Sequence, residues 1–394
     1  MQGDKVCDAP SAARRPSRGV DTPSGLSDGA SMTKTPDVWL LYGANGYTGA
    51  LIAEEAARRG MRPILAGRRE EPVRALAERL GFESRVFPLD DAAALRRALG
   101  GVQAILLAAG PFSATSEPVR RACLAGGVHY LDITGEIDVL EACRRDGDAA
   151  ARAGVTLLPG VGFDVVPTDC LAASLHARLP TPTHLRLAIH SRAGASAGTA
   201  KTMLDGLVRG GAGMVRRGGQ LVGVPVAYET RIIPFPDKPR FAVTVPWGDL
   251  ATAHLSTGIP NIEVYFTASR RQVQALRAVA VAQPILRLPG VPGLLAKLIG
   301  RTIRGPGPER RARARTSLWG SVSDATGAEV QGALETLEGY HLTMLTAVTC
   351  MERVLQGKTR PGMQTPSQAF GADFIAQIPG CRLEVPVSAA VSAA

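Results

Sequence analysis

Apolar and polar positions follow one rhythm early in this chain and another later. Short apolar runs at Val38-Trp39-Leu40-Leu41-Tyr42, Ile64-Leu65-Ala66, Arg85-Val86-Phe87-Pro88-Leu89, Val102 to Ala108, Val128 to Leu131 and Val155 to Leu158 predict strands. Between them, helical periodicity predicts helices over Leu51–Arg59, Glu71–Leu80, Asp91–Leu99 and Pro118–Ala125, with another before the last strand. The run from Ala104 to Ala108 has no polar position, as expected of a central parallel strand covered on both faces. Strands alternating with helices predict an α/β fold, a doubly wound parallel sheet with right-handed crossovers. From about Pro167 this rhythm stops. Leu185 to Ile189, Phe241 to Val245 and Ile262 to Phe266 alternate instead, which predicts a second, α+β domain with a more antiparallel sheet. Tyr340 to Gln356 reads as one long helix, with Gly357 suited to its C-terminal end.

The expected division is a disordered tail at 1–36, a first domain at 37–166, a second at 167–339, and a C-terminal helix and tail at 340–394 packing back on the body. A chain of 394 residues has enough length for two cores. The tail holds thirteen Gly, Pro or Ser and little aliphatic surface to offset the entropy of ordering. It lacks the continuous apolar stretch of a secretory signal, and no later run reaches the roughly 18 apolar residues of a spanning helix. Six well-separated cysteines with no C-x-x-C argue against a zinc site or disulfide framework and suit a reducing, cytoplasmic compartment.

Charge alters the picture of the second domain. The net charge is +10, and residues 270–316 alone hold eleven Lys or Arg against one acid, Glu309, so the rest of the chain is neutral. Such segregation excludes a whole-surface nucleic-acid binder. Within this segment Val273, Leu276, Val279 and Ala280 form a helical stripe; Pro284, Pro289 and Pro292 break the chain; Leu294, Leu295, Leu298 and Ile299 form a second apolar helix; and the run Arg310 to Arg315 follows. An apolar, basic segment suits a peripheral position on a membrane or a grip on an acyl substrate. A helical lid with a solvated charged face fits the same pattern.

Candidate chemistry centres on Gly43-Ala44-Asn45-Gly46-Tyr47-Thr48-Gly49, where the first strand meets three glycines spaced three apart and a helix follows. A helix N-terminus leaves amides unpaired and carries partial positive charge, and glycines let a pyrophosphate approach the backbone. This is the signature of a Rossmann-type, dinucleotide-binding domain. Gly43, Asn45, Gly46, Tyr47, Thr48 and Gly49 are the expected cofactor loop. The second strand exits through Gly67-Arg68-Arg69, with arginines where an NAD site usually carries an acid, which favours the 2′-phosphate of NADP. Asp90 can bond the adenine amino group or cap the helix beginning at Asp91. Ala109-Gly110-Pro111 lets the cofactor lie against backbone. The loops at 43–49, 109–113, 132–136 and 159–164 all leave the carboxyl ends of strands and should line one cleft.

These blocks resemble the saccharopine dehydrogenase-like oxidoreductases: Gly43 to Gly49, Leu65-Ala66-Gly67-Arg68, Ala109-Gly110-Pro111-Phe112, His129 to Glu136 and Gly162 to Asp169. The resemblance continues through Gly198-Thr199-Ala200, Gly305 to Arg310, Trp319-Gly320 and Thr365-Pro366, while Asn45 stands where that family more often has Thr. The resemblance implies an NADP-binding domain, and its bacterial branch includes trans-acting enoyl reductases of polyketide lipid synthesis. Short-chain dehydrogenase chemistry, which needs Lys four residues after a Tyr, is disfavoured, because none of the six tyrosines has one. Candidates to donate a proton or stabilise developing charge at the sheet edge are Tyr130, Asp132, Thr134 and Asp164. His184, Arg186 and His190 share one strand face, either to meet an acidic substrate group or as ordinary sheet polarity. The expected activity is NADPH-dependent reduction of an apolar or carrier-bound acyl substrate, with an imine or amino-acid reductase, or a non-catalytic NADP-binding protein at a lipid surface, as alternatives. Homodimer formation is left open.

Overall fold

A computed structural model describes residues 38–191, 213–281, 288, 291–302 and 307–385. The expected tail, the Gly198-Thr199-Ala200 block, Gly305-Pro306 and the breaks at Pro284 and Pro289 lie outside the described residues. The first sheet consists of β1 (Trp39–Tyr42), β2 (Ile64–Gly67), β3 (Ser84–Val86), β4 (Ala104–Leu107), β5 (His129–Asp132) and β6 (Thr156–Leu158), in the order β3-β2-β1-β4-β5-β6. All its pairings are parallel. Every residue of β1, β2 and β4 is buried, which accounts for their continuous apolar runs.

Helices cover both faces. On one side α1 (Tyr47–Arg58), α2 (Glu70–Leu80) and α7 (Val166–His176) contribute Ile52, Val73, Leu76 and Leu171 to a core with Leu41, Leu65, Leu106 and Leu158. On the other, α3 (Ala92–Ala98), α4 (Phe112–Gly126), α5 (Ile137–Arg145) and α6 (Gly147–Arg152) contribute Leu95, Val119, Cys143 and Ala150 to a core with Leu40, Ile105, Tyr130 and Leu157. Several boundaries differ from the sequence pattern. α1 begins inside the glycine motif, at Tyr47. α4 begins at Phe112, leaving Pro118 inside the helix, because an acceptor distant in sequence closes its N-terminus. Asp91 caps α3, accepting from the amides of Ala93 and Ala94 at 2.9 Å, so the capping role considered for Asp90 belongs to its neighbour.

The second sheet has nine strands among the described residues: β7 (His184–Ser191), β8 (Gly213–Arg217), β9 (Gln220–Val224), β10 (Thr230–Pro234), β11 (Pro239–Thr244), β12 (Asn261–Thr267), β13 (Arg315–Ser323), β14 (Glu329–Leu337) and β16 (Arg382–Glu384). Only β7 and β12 pair in parallel. Leu185, Leu187 and Ile189 of β7 face the core shared with the first sheet. The elements crossing this region are α8 (Asp249–Thr257), α9 (Arg270–Val281), α10 (Val291–Thr302) and α11 (Pro308–Arg313). Pro292 falls in the first turn of α10 instead of breaking the chain, a position where the missing N–H costs no helix bond.

The chain then returns to the first sheet. α12 (Gly339–Leu355) buries Val348 and Met351 on the face that holds α1, and Gly357 takes the left-handed conformation just past it, at φ +70°. A two-residue strand, β15 (Gly362–Met363), adds to β6 as a seventh parallel strand, and α13 (Pro366–Phe370) follows.

Candidate functional site

Strand order reverses between β1 and β4, and at such a point an open parallel sheet leaves a crevice beyond its carboxyl ends. Gly43 turns the chain there with φ +86°, and a Cβ on it would stand 2.8 Å from the carbonyl carbon of Ala108 at the exit of β4. A Cβ on Gly49 would stand 2.2 Å from the Gly43 carbonyl oxygen, so the close packing of α1 on β1 depends on its absence. Gly46 is the N-cap of α1 and has no side chain to offer the helix amides, which leaves that positive end open to an anion. The neighbouring helix is closed. Glu136 accepts from the amides of Phe112 at 2.7 Å and Ser113 at 2.8 Å, so a carboxylate already occupies the N-terminus of α4. Of the two helices flanking the crevice, α1 is therefore the one built to receive a phosphate.

The other expected cofactor residues cluster around this loop. The Cβ position of Gly67 lies 3.0 Å from Asn45 Oδ1, so Asn45 rests over the end of β2. Arg68, Arg69 and Asp90 are exposed. Tyr42 reports their placement: burial pushes its hydroxyl up to about 12, Arg68 draws it down and Asp90 raises it. Both charges therefore act on the Tyr42 hydroxyl, which donates to the Phe87 carbonyl oxygen at 2.9 Å. Thr115 holds the Ala109 carbonyl oxygen at 2.6 Å, fixing the turn through Gly110 and Pro111.

Of the four candidates for proton transfer, three form a buried network. The Tyr130 hydroxyl lies 2.6 Å from Asp132 Oδ2 and 3.0 Å from Ser116 Oγ, which also receives Arg120 at 2.8 Å. Asp132 Oδ1 accepts from the amides of Thr134 at 3.0 Å and Gly160 at 2.8 Å, and Thr134 Oγ1 accepts from the amide of Glu136 at 3.0 Å. Tyr130, Asp132 and Thr134 are completely buried, so their hydrogen bonds tie β5 to β6 and α4 and leave no face for a substrate. Asp164 differs. It is half-buried, makes no hydrogen bond among the described residues, and burial lifts its carboxyl to about 6. Its Oδ2 lies 3.0 Å from the Cβ position of Gly135.

The tertiary fold brings in residues that sequence spacing did not single out. Gly248 packs so closely that its Cβ position is 2.9 Å from the Gly135 carbonyl oxygen, which sets Asp249 beside Asp164. Asp249 is completely buried, and neither carboxyl oxygen has a hydrogen-bond partner among the described residues. Burial pushes it up to about 8, with Asp164 and Asp169 adding repulsion and the Thr168 hydroxyl partly offsetting it. Phe163, Trp247 and Phe266 stand in a row, with ring centroids 6.5 and 5.7 Å apart. At the glycine loop, Tyr47 meets Tyr340 edge-on at 4.9 Å, and Arg311 lies over the Tyr47 ring while donating to its hydroxyl at 2.9 Å. Glu338 Oε2 caps α12 through the amides of Tyr340 and His341, both at 3.0 Å.

His184, Arg186 and His190 point to the opposite face of the second sheet. Arg186 pairs with Glu263 at 3.4 Å, and His190 bonds Thr267 and packs against Phe235. They are sheet polarity and do not meet the crevice. A cavity of about 440 Å³ also lies on that outer face, beside Pro234 and Trp319, and contains none of the sheet-edge residues.

Residues 39–158 match the family model described as the saccharopine dehydrogenase NADP binding domain. The stretch from β1 to β6 is thus similar to that family. Curated relatives match part of the chain. A trans-acting enoyl reductase of Mycobacterium ulcerans is 31% identical over 186 residues, 43% of this chain and 44% of that protein. One of Mycobacterium tuberculosis is 35% identical over 150 residues, 35% of each chain. The matches thus span less than half the length of these relatives. Similarity of fold extends beyond the NADP-binding domain. Saccharopine dehydrogenase (L-Glu forming) of Saccharomyces cerevisiae superposes with a TM-score of 0.60 at 11% identity, covering 89% of this chain and 99% of that one. The homospermidine synthase of Legionella pneumophila, solved with NAD, gives 0.58 at 8% identity, covering 89% and 91%.

Proposed function

We propose that this chain is an NADPH-dependent oxidoreductase that reduces a C=C bond of an apolar or carrier-bound acyl substrate. One juxtaposition carries the reading. An open glycine cradle with Arg68 beside it shares a sheet edge with an unbonded carboxyl, Asp164, next to the aromatic row of Phe163, Trp247 and Phe266. In this reading Gly43, Asn45, Gly46, Tyr47, Thr48 and Gly49 surround the pyrophosphate. Gly67, Arg68 and Arg69 receive the 2′-phosphate, Asp90 faces the adenine, and Ala109-Gly110-Pro111 backs the nicotinamide half.

Bound NADPH supplies a hydride, which carries both electrons of the reduction. The proton that completes addition across the double bond comes from Asp164, whose raised carboxyl keeps it through mildly acidic pH. The aromatic row offers apolar surface to an acyl chain, and the relatives named trans-acting enoyl reductase support the same bond type.

The test is NADPH oxidation followed with an α,β-unsaturated acyl thioester or, separately, with imines. Oxidation by the thioester alone is expected, and Asp164→Asn should lower kcat by about a hundredfold while leaving the NADPH Kd unchanged. Oxidation with imines alone would replace the acyl assignment by an imine reductase. Tight NADPH binding with no turnover of either class would leave a binding protein in place of an enzyme.

A further inference from the structure

We propose that α9, α10 and the basic residues around them form a docking surface for an anionic lipid bilayer. This inference is independent of the reaction assigned above. α9 attaches to the body through one side: Val273 is buried with Ala227 and Val243, and Arg277 donates to the Ala227 carbonyl oxygen at 2.8 Å. Leu276 and Val281 turn outward, 39% and 83% exposed. α10 has an apolar sequence, Val-Pro-Gly-Leu-Leu-Ala-Lys-Leu-Ile-Gly-Arg-Thr, yet none of its described side chains is buried. Leu294 and Leu298, one turn apart, are 68% and 55% exposed, and Leu288 just before them is 53% exposed. Removing such side chains from water is the main favourable change open to this helix, and nothing within the described residues does so.

Charge selects the occupant. Arg271, Lys297 and Arg313 are exposed, and the segment from 270 to 316 has a single acid. Leucines flanked by cations without acids match the interface of an anionic membrane, where the apolar side chains enter the acyl boundary and the cations meet headgroup phosphate. The geometry is of a segment lying on the bilayer. Twelve residues of helix rise about 18 Å against a hydrocarbon core of about 30 Å, and no helix among the described residues is long and apolar enough to cross. Arg311 is not part of this set, because it is engaged on Tyr47 at the glycine loop. A variant of the whole run Arg310 to Arg315 would therefore disturb the cofactor edge.

The experiment is flotation of the full chain with vesicles of equal parts phosphatidylglycerol and phosphatidylcholine, and with phosphatidylcholine alone. Each basic side chain near an anionic surface is worth roughly a fivefold gain in binding, so Arg271→Gln, Lys297→Gln and Arg313→Gln together should weaken binding roughly a hundredfold. Leu294→Ser with Leu298→Ser should weaken it as well. Both variants should keep the wild-type melting temperature, since these side chains are exposed. Wild-type binding to the acidic vesicles should fall as salt rises. Wild type staying wholly soluble at low salt overturns the proposal, as does binding that both variants retain. A leucine variant that instead turns a sedimenting dimer into a monomer, or a wild type that captures an acidic carrier protein but no vesicle, also overturns it.

Discussion

Asp249 offers a quantitative test of how the two halves of the site meet. It is completely buried, its carboxyl has no hydrogen-bond partner among the described residues, and it sits near Asp164 and Asp169. Its carboxyl rises from 3.8 to about 8, with burial as the main cause. The folded state therefore holds a proton that the unfolded chain releases near pH 4. Stability from this group is fully present below pH 4 and is lost as pH rises towards 8, because the folded state binds more protons across that window. Each pH unit is worth about 1.4 kcal/mol, so between pH 5 and pH 7 the wild type should lose about 2.7 kcal/mol through this residue alone. Asn has nearly the same shape and never ionises. Asp249→Asn should therefore gain on the wild type by that amount across the same interval, whatever constant offset the amide introduces. Urea unfolding of both proteins at pH 5, 6, 7 and 8 measures the two slopes. Asp164 repels Asp249, so both proteins are compared in an Asp164→Asn background, which keeps its titration out of the difference. Parallel stability curves would refute the reasoning, since they would mean that Asp249 is solvated or paired as an ordinary carboxylate.

The cofactor loop yields two further expectations. Arg68→Ala should weaken NADPH binding roughly ten- to a hundredfold by calorimetry, the worth of a charge-assisted bond to phosphate, while NADH affinity stays within about twofold; equal losses would remove Arg68 from the 2′-phosphate. Gly46 and Gly49 should part company. A Cβ at Gly46 meets only the Gly43 carbonyl oxygen, at 3.1 Å, so Gly46→Val should keep its melting temperature and lose NADPH. At Gly49 the 2.2 Å overlap with backbone should cost about 3 kcal/mol of stability even for Ala. A Gly49→Ala protein that melts like the wild type would contradict the packing described for α1.

Much of the first domain was legible because the interactions that specify it are local. A run such as Ala104 to Leu107 has no polar face in any context, so it must be a strand covered on both sides. Glycine spacing after β1 and the arginines after β2 lie within a few residues of the strands that aim them, and the structure places both at the sheet edge. Local signals failed where a distant group supplies the missing partner. Pro118 looked like the first turn of a helix, but Glu136 reaches back to close the true N-terminus at Phe112. Tyr130, Asp132 and Thr134 looked available from their place at a strand end, but Ser116 and Gly160 complete their hydrogen bonds and bury them. For the first sheet and its helices the sequence by itself determined most of the elements, and it showed where a phosphate could approach and where the charge lay. Only the tertiary structure decided that Asp249 would stand beside Asp164, that Arg311 would lie on Tyr47, that Gly362–Met363 would extend the first sheet, and that α10 would keep Leu294 and Leu298 in water. Element type follows from side-chain periodicity over a few residues. The partner of a buried carboxyl, or the absence of a cover for an apolar helix, depends on how whole elements pack across the chain.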